Sequence, residues 1–269
     1  MSQQSLPTIF LPHGAGPCFF MDWQPADTWT RMRDWLAGLT TGLGIQPRAL
    51  LVISAHWQAP AFTVTAQAQP ALLFDYYGFP EPTYRLTWPA PGNPELAADV
   101  RRRLGAAGVP NAETSSRGLD HGVFIPLKLS FPAADVPVVQ LSLRQGLDPQ
   151  QHLAMGLALA GLRDEGVLIV GSGMSYHNMA RFRSGADTVD PASQQFDEWL
   201  TETVQADPGE RADRLIAWAE APGARLAHPE EEHLLPLHVV AGAGADAPGR
   251  RVFTDTVMGS VQSAFVFGD

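Results

Sequence analysis

The chain has 269 residues, 45% of them hydrophobic, and a formal net charge of −10. That size suits one large α/β domain spanning residues 1–269, and the apolar content excludes a disordered chain. Eighteen Lys and Arg against 28 Asp and Glu leave no basic surface for nucleic acid, while a single cysteine, Cys18, excludes an internal disulfide and a Cys-rich zinc site.

The first apolar run, residues 8–11, reads as a strand, and residues 26–39 follow with a helical pattern. Residues 49–55 and 62–65 read as strands, the former apolar without alternation, as in a strand buried on both faces. Residues 74–92 hold Pro80, Pro82, Pro89 and Pro91 among aromatics, which makes a long ordered loop. A helix is expected over 94–107, a strand over 136–141, a helix over 149–162, a strand over 167–170 and a helix over 191–204. Pro94, Pro149 and Pro191 each follow Asn or Asp, an N-cap followed by proline at the first helical position. Residues 181–190 are polar and short of apolar anchors; they and 74–92 are candidates to cover a pocket. The alternation predicts an α/β fold with a central, largely parallel or mixed sheet and helices on both faces. The opening MSQQSLPTIF lacks a basic-then-apolar leader, and no run approaches the ~20 apolar residues of a membrane span. A cytoplasmic protein without a membrane segment is expected.

The histidines, eight in all, carry the chemical signal. His13 follows Ile9-Phe10-Leu11-Pro12, His56 ends Leu51-Val52-Ile53-Ser54-Ala55, and His177 lies just past Val170-Gly171-Ser172-Gly173. One histidine near a strand end is usually structural. Three at the carboxyl ends of three apolar strands, each beside small residues, describe a site at the edge where α/β sheets bind ligands. His121 follows Asp120, which either orients an imidazole or caps a turn. His228, His233 and His238 are spaced by five, about 140° apart on a helix, so they cannot all face one metal. Glu230 and Glu231 suit an acidic first turn. His152 is expected on a helix surface, and His238 is expected to pack on the helix that follows. Histidines from separate strand ends, joined by a late His or Glu, suit Fe(II) or Zn(II) with open positions.

Seven segments, PHGAGPCFFMDW, SAHW, DYYGFPEPTY, GLDHGVFIPLKLSFP, VPVVQLSL, GSGMSYHN and HPEEEHLLPL, run in order along nearly the whole chain. In them the chain resembles the class III extradiol ring-cleavage dioxygenases of the LigB-like superfamily, in particular the bacterial DOPA-dioxygenase-like branch. The resemblance implies metal ligands at His13, His56 and His233, with Glu232 as the fallback third ligand. It also implies an active-site base at His177 and a second active-site histidine at His121. Pro12 and Ala15 depart from the Ser and Gly common in the family, without removing a ligand. The implied chemistry is Fe(II)-dependent opening of a catechol-type ring with O2 to a semialdehyde, with Zn(II) able to fill the same site. The implied partners are a small aromatic diol and O2, with a homodimer as a further expectation. The rivals are a zinc hydrolase using metal-bound water, which lacks an HExxH helix here, and a binding protein that keeps the fold.

Overall fold

The apolar runs of the chain become β1 (Thr8–Pro12), β2 (Ala49–Ala59), β3 (Phe62–Thr65), β5 (Val138–Arg144) and β6 (Val167–Gly173). With β4 (Asn111–Thr114), β7 (Gly249–Val257) and β8 (Ser260–Phe267), they form one sheet in the order β4-β3-β5-β2-β6-β1-β8-β7. The structure is a computed structural model that describes residues 5–182 and 188–268. At the centre β5, β2, β6 and β1 run parallel. On the flanks β3 is antiparallel to β5, β8 to β1, and β7 to β8. The sheet is therefore mixed and mostly parallel at its core.

The connecting helices are α1 (Thr30–Ala37), α2 (Leu39–Leu43), α3 (Pro94–Ala106), α4 (His121–Ser130) and α5 (Pro149–Leu159), then α6 (Pro191–Gln205), α7 (Pro208–Ile216), α8 (Ala224–Ala227) and α9 (Leu235–Gly244). Asn93, Asp148 and Asp190 cap α3, α5 and α6 as expected, each accepting a backbone N–H through its side chain. Side chains alternate between the two faces with the period of two that strands impose. Ile9, Leu11, Leu50, Val52, Leu168 and Val170 pack under α1, α2 and α4. Phe10, Leu51, Ile53, Val167 and Ile169 pack under α3, α5, α6 and α9. Each central strand is thus buried on both faces, which is why its sequence is apolar without a break.

Several elements were not foreseen from the sequence. The Asn111–Thr114 strand is a polar, half-buried edge with no hydrophobic signature. Residues 123–129 are part of a helix that continues through Pro126. The C-terminal hairpin turns at Met258-Gly259, both with positive φ (51° and 76°), as a two-residue hairpin turn requires. Among the described residues, no helix is long and apolar enough to cross a membrane.

Candidate active site

The strand order places β2, β6 and β1 side by side, so their carboxyl ends open on one crevice. His13 stands one residue past β1, its N–H donating to the Gly173 carbonyl at 3.1 Å. Gly14 and Gly16 follow with φ of +82° and +54°, turning the loop back at once. His56 lies inside β2 and not at its end, because the strand runs on to Ala59. The β2–β5 register slips between Ile53 and Gln58, the kind of irregularity that re-aims a side chain out of the ladder. His177 follows β6 by four residues, and its N–H donates to the Ala227 carbonyl at 2.9 Å. His121 is the first residue of α4. His233 precedes α9, and its carbonyl accepts the Met174 N–H at 3.1 Å. A Cβ on Gly173 would lie 2.1 Å from that same carbonyl oxygen, so only glycine lets the late segment dock on β6.

The structure brings all five sequence-predicted residues into one cluster. Ring centroids are 4.8 Å apart for His13–His56, 4.8 Å for His56–His233 and 5.3 Å for His13–His233. His121 sits 3.9 Å from His56 and 5.5 Å from His13. His177 stacks on His233 at 3.4 Å with an interplanar angle of 15°. Grouped by donor atoms, His13, His56 and His121 lie within 4.8 Å of one another, as do His177, Glu232 and His233.

Hydrogen bonds fix which nitrogen carries the proton in His13, His121 and His233. The Ser172 hydroxyl donates to the Gly122 carbonyl, so His13 Nδ1–H must donate to Ser172 Oγ at 3.1 Å. That leaves His13 Nε2 as a lone pair, and it faces His56 Nε2 at 3.1 Å. His233 Nδ1–H donates to Glu232 Oε1 at 2.8 Å, and His121 Nδ1–H donates to Asp75 Oδ1 at 2.7 Å. The same Glu232 oxygen lies 3.4 Å from His177 Nδ1. Side-chain anchors thus hold Nδ1 of these rings and leave Nε2 for the cavity.

Electrostatics keep His13, His56 and His233 neutral. Burial first, then neighbouring His56, holds His13 well below the ordinary histidine range, and burial with His177 does the same for His233. Burial followed by His121 lowers His56 to about 3. Burial pushes the Asp75 and Glu232 carboxyls up, but their hydrogen bonds from His121 and His177 outweigh it and hold both below the usual carboxylate values. Neutral imidazoles backed by anions are what a divalent cation needs. The donor set fits one: two Nε2 atoms meet with a single proton at most between them, and Glu232 Oε2 is buried without a partner.

Above the histidines lies a cavity of about 430 Å³. Its remaining wall is made by Gly14, Ala15, Gly16, Trp23, Trp29, Tyr76, Tyr77, Phe79, Met174, Met179, Phe182 and Met258. Residues 76–79 of the proline-rich loop therefore line the cavity. The other expected cover, 181–190, falls partly on residues 183–187, outside the described residues.

A family model described as the catalytic LigB subunit of aromatic ring-opening dioxygenase matches residues 7–266. The chain belongs to the LigB family. A dioxygenase of Hapsidospora irregularis, tasH, is 41% identical to this LigB chain over 228 residues, covering 80% of this chain and 69% of its own. The 4,5-DOPA dioxygenase extradiol of Beta vulgaris is 35% identical over 257 residues, 95% and 93% of the two chains. The protein of that name from Escherichia coli K12 is 33% identical over 244 residues, 90% and 87%. The LigB fold is also that of a crystal structure of an uncharacterized Escherichia coli K12 protein, with TM-score 0.79, 30% identity, and 98% and 100% of the two chains covered.

Four expectations about the LigB site's surroundings need correction. Asp120 neither orients His121 nor caps α4 through its side chain. It is buried and takes hydrogen bonds from Ser54 Oγ (2.7 Å), Arg117 (3.1 Å) and Gln140, while Arg117 also donates to the His56 carbonyl. Asp75, 46 residues before His121, is the carboxylate that orients it; only its place beside the aromatic run of the loop hinted at this. His152 is buried, not on the surface, because its Nδ1–H donates to the Asp148 carbonyl (2.7 Å) and its Nε2 accepts the Arg144 N–H (3.2 Å). His238 lies inside α9 and donates through Nε2 to the Leu215 carbonyl of α7 at 2.8 Å, so it binds an earlier helix. Glu231 pairs with Arg225 in place of a helix dipole.

Proposed function

We propose that His13, His56 and His233 hold a divalent metal in this extradiol ring-cleaving dioxygenase, while His177 and His121 move protons for a catechol-type substrate. The observation that carries the ligand choice is the even spacing of the three rings. With metal–nitrogen distances of about 2.0–2.1 Å, facially arranged imidazoles put their centroids roughly 4.5–5.2 Å apart. The separations of 4.8, 4.8 and 5.3 Å match this. A set using His121 is uneven, at 3.9, 4.8 and 5.5 Å. His177 and His233, stacked face to face, cannot both point a nitrogen at one ion. Glu232 already binds His233 Nδ1, which makes it the support of that ligand in place of a substitute for it.

Fe(II), when bound, supplies Lewis acidity to the diol and a coordination position for O2, whereas Zn(II) fills the same nitrogens without redox chemistry. The chain's own groups do the rest. The cavity wall holds the ring plane and excludes water. His177, half-buried beside the substrate space, accepts a hydroxyl proton through Nε2, and Glu232 steadies the imidazolium that results. His121 Nε2, beside His56, hydrogen-bonds or protonates the developing oxygen charge, with Asp75 supporting it from behind. The relatives named 4,5-DOPA dioxygenase extradiol support a catechol-type diol as the substrate class.

Anaerobic reconstitution with Fe(II) and then oxygen uptake over a catechol panel tests the reading. Uptake with a yellow ring-opened product is expected with Fe(II) and none with Zn(II). Equal oxygen-dependent turnover with zinc alone would sink it.

A further inference from the structure

His56 is the one proposed ligand whose ring has no anchor behind it. Side chains hold Nδ1 of His13 and His233, whereas among the described residues nothing hydrogen-bonds Nδ1 of His56. That ring must be aimed from its own backbone, and the backbone there has left the sheet. The last pair of β2 with β6 is Ser54 with Ser172, while pairing with β5 stops at Ile53 and resumes at Gln58. Residues 55–57 pair with neither strand. Buried peptide groups need partners, and here side chains supply them. The His56 N–H donates to Ser54 Oγ at 3.2 Å, and that hydroxyl donates to Asp120 Oδ1 at 2.7 Å. The His56 carbonyl accepts from Arg117 Nη2 at 3.2 Å, and the same nitrogen donates to Asp120 Oδ2 at 3.1 Å. Both peptide ends of one residue thus lead to the two oxygens of one fully buried carboxylate.

Asp120 is itself fixed. Gln140, on β5, donates to its Oδ2 and accepts its N–H at 3.3 Å. A Cβ on Gly122 would lie 2.5 Å from Ser54 Oγ and 3.1 Å from the His56 ring, so the first turn of α4 closes against the group. Arg117 lies over the Trp57 ring, 4.8 Å from its centroid, which restrains its guanidinium. We propose that Ser54 and Arg117, joined through Asp120, clamp the peptide of His56 and so set the direction of its imidazole. Arg117 is then a positioning residue that acts on the metal through His56. This rests on the assignment of His56 as a ligand. Charge alone gives the opposite expectation, because removing a cation from the neighbourhood of a dication should tighten the metal. A weaker metal on loss of Arg117 therefore reports position.

The test is release of Co(II) from the loaded, full-length chain to a chelator of known affinity, with the visible absorption of the bound ion as a second signal and circular dichroism as the check on folding. Arg117→Met keeps an apolar stem over Trp57 and loses the donors. It should hold Co(II) about 10–100-fold more weakly, with shifted absorption bands. Ser54→Ala, at the other end of the clamp, should weaken Co(II) by about two- to tenfold. His152→Gln, in a buried histidine bonded to main-chain groups outside the cluster, should release Co(II) as the unaltered chain does. Unchanged or tighter Co(II) in Arg117→Met overturns the inference, as does an equal loss in His152→Gln. Should Arg117→Met not fold, Ser54→Ala decides alone, and unchanged Co(II) there overturns it. If His56→Ala holds Co(II) as tightly as the unaltered chain, the ligand assignment fails and takes the inference with it.

Discussion

Two groups of buried histidines in this chain show what makes an imidazole structural or reactive. His152, His228 and His238 are fully buried, and each turns a ring nitrogen on a main-chain carbonyl, of Asp148, Ser175 and Leu215 respectively. His13, His121 and His233 are buried almost as deeply, but they are anchored through Nδ1 by side chains, Ser172, Asp75 and Glu232. The second nitrogen decides the outcome. In the first group it stays inside the packed fold and meets no other imidazole: His152 Nε2 accepts the Arg144 N–H, His238 Nδ1 faces the Leu234 carbonyl at 3.4 Å, and His228 Nδ1 is buried without a partner. In the second it faces other imidazoles across a cavity, an arrangement that stays unfavourable until a cation or substrate satisfies it. Burial does not distinguish the groups; the anchor and the direction of the free lone pair do.

The comparison breaks first at the proposed ligands. Alanine at His13, His56 or His233 should abolish metal retention with an unchanged circular dichroism spectrum. Ring opening should fall by more than the roughly 10–100-fold that an outer partner is worth. A His233→Ala protein with normal metal content would move the third ligand to His121 or Glu232. Next in size is His177→Ala, which should keep its metal and lose about 10²–10⁴-fold in turnover. The deficit should shrink for catechols of higher acidity, whose protons leave with less help; loss of metal instead would make His177 a ligand.

The anchors come third. Asp75→Asn and Glu232→Gln should each cost about 10–100-fold. They should differ in kind: Glu232→Gln weakens metal affinity because it supports His233, whereas Asp75→Asn leaves metal content alone and lowers turnover. Matching metal losses in both would erase the division between ligand support and proton support. The smallest effect on chemistry belongs to the structural group. His152→Gln and His238→Gln should leave activity per folded molecule unchanged while altering acid stability. Burial lowers His152 and His238 to about 4 and His228 to about 3, against an unfolded value of 6.5. The unfolded chain therefore binds more protons below pH 6.5, and stability should fall as pH drops from about 6.5 to about 4, by up to about 3 kcal/mol for each group. Denaturant titrations across that range should show a shallower acid limb in each variant; an unaltered limb would mean these rings are protonated in the folded state.

Where a residue's role is set by its own strand, the sequence displays it. The four central strands were legible because burial on both faces leaves an unbroken apolar run, as in Leu50-Leu51-Val52-Ile53. His13 and His177 were legible because they follow such runs directly. The resemblance supplied His233, which lies in a segment with no periodicity of its own. What was hidden depends on contacts between distant segments. Asp75 reaches His121 across 46 positions, and Ser172 reaches His13 across 159. The helix at 121–130 was obscured by Pro126 inside it. The final hairpin was obscured because β7 carries exposed Arg250 and Arg251 among its apolar positions and so lacks the signature of a buried strand.

The Met258-Gly259 turn joins two antiparallel strands at the sheet's edge, yet Met258 reaches the cavity whose floor the central parallel strands support. Floor and rim therefore belong to separately variable parts of the chain. Lengthening or shortening that tip by a residue would redraw the space above the histidines while every strand that bears one keeps its register. Such a layout marks that tip as one place to diversify when a library of altered ring-openers is wanted.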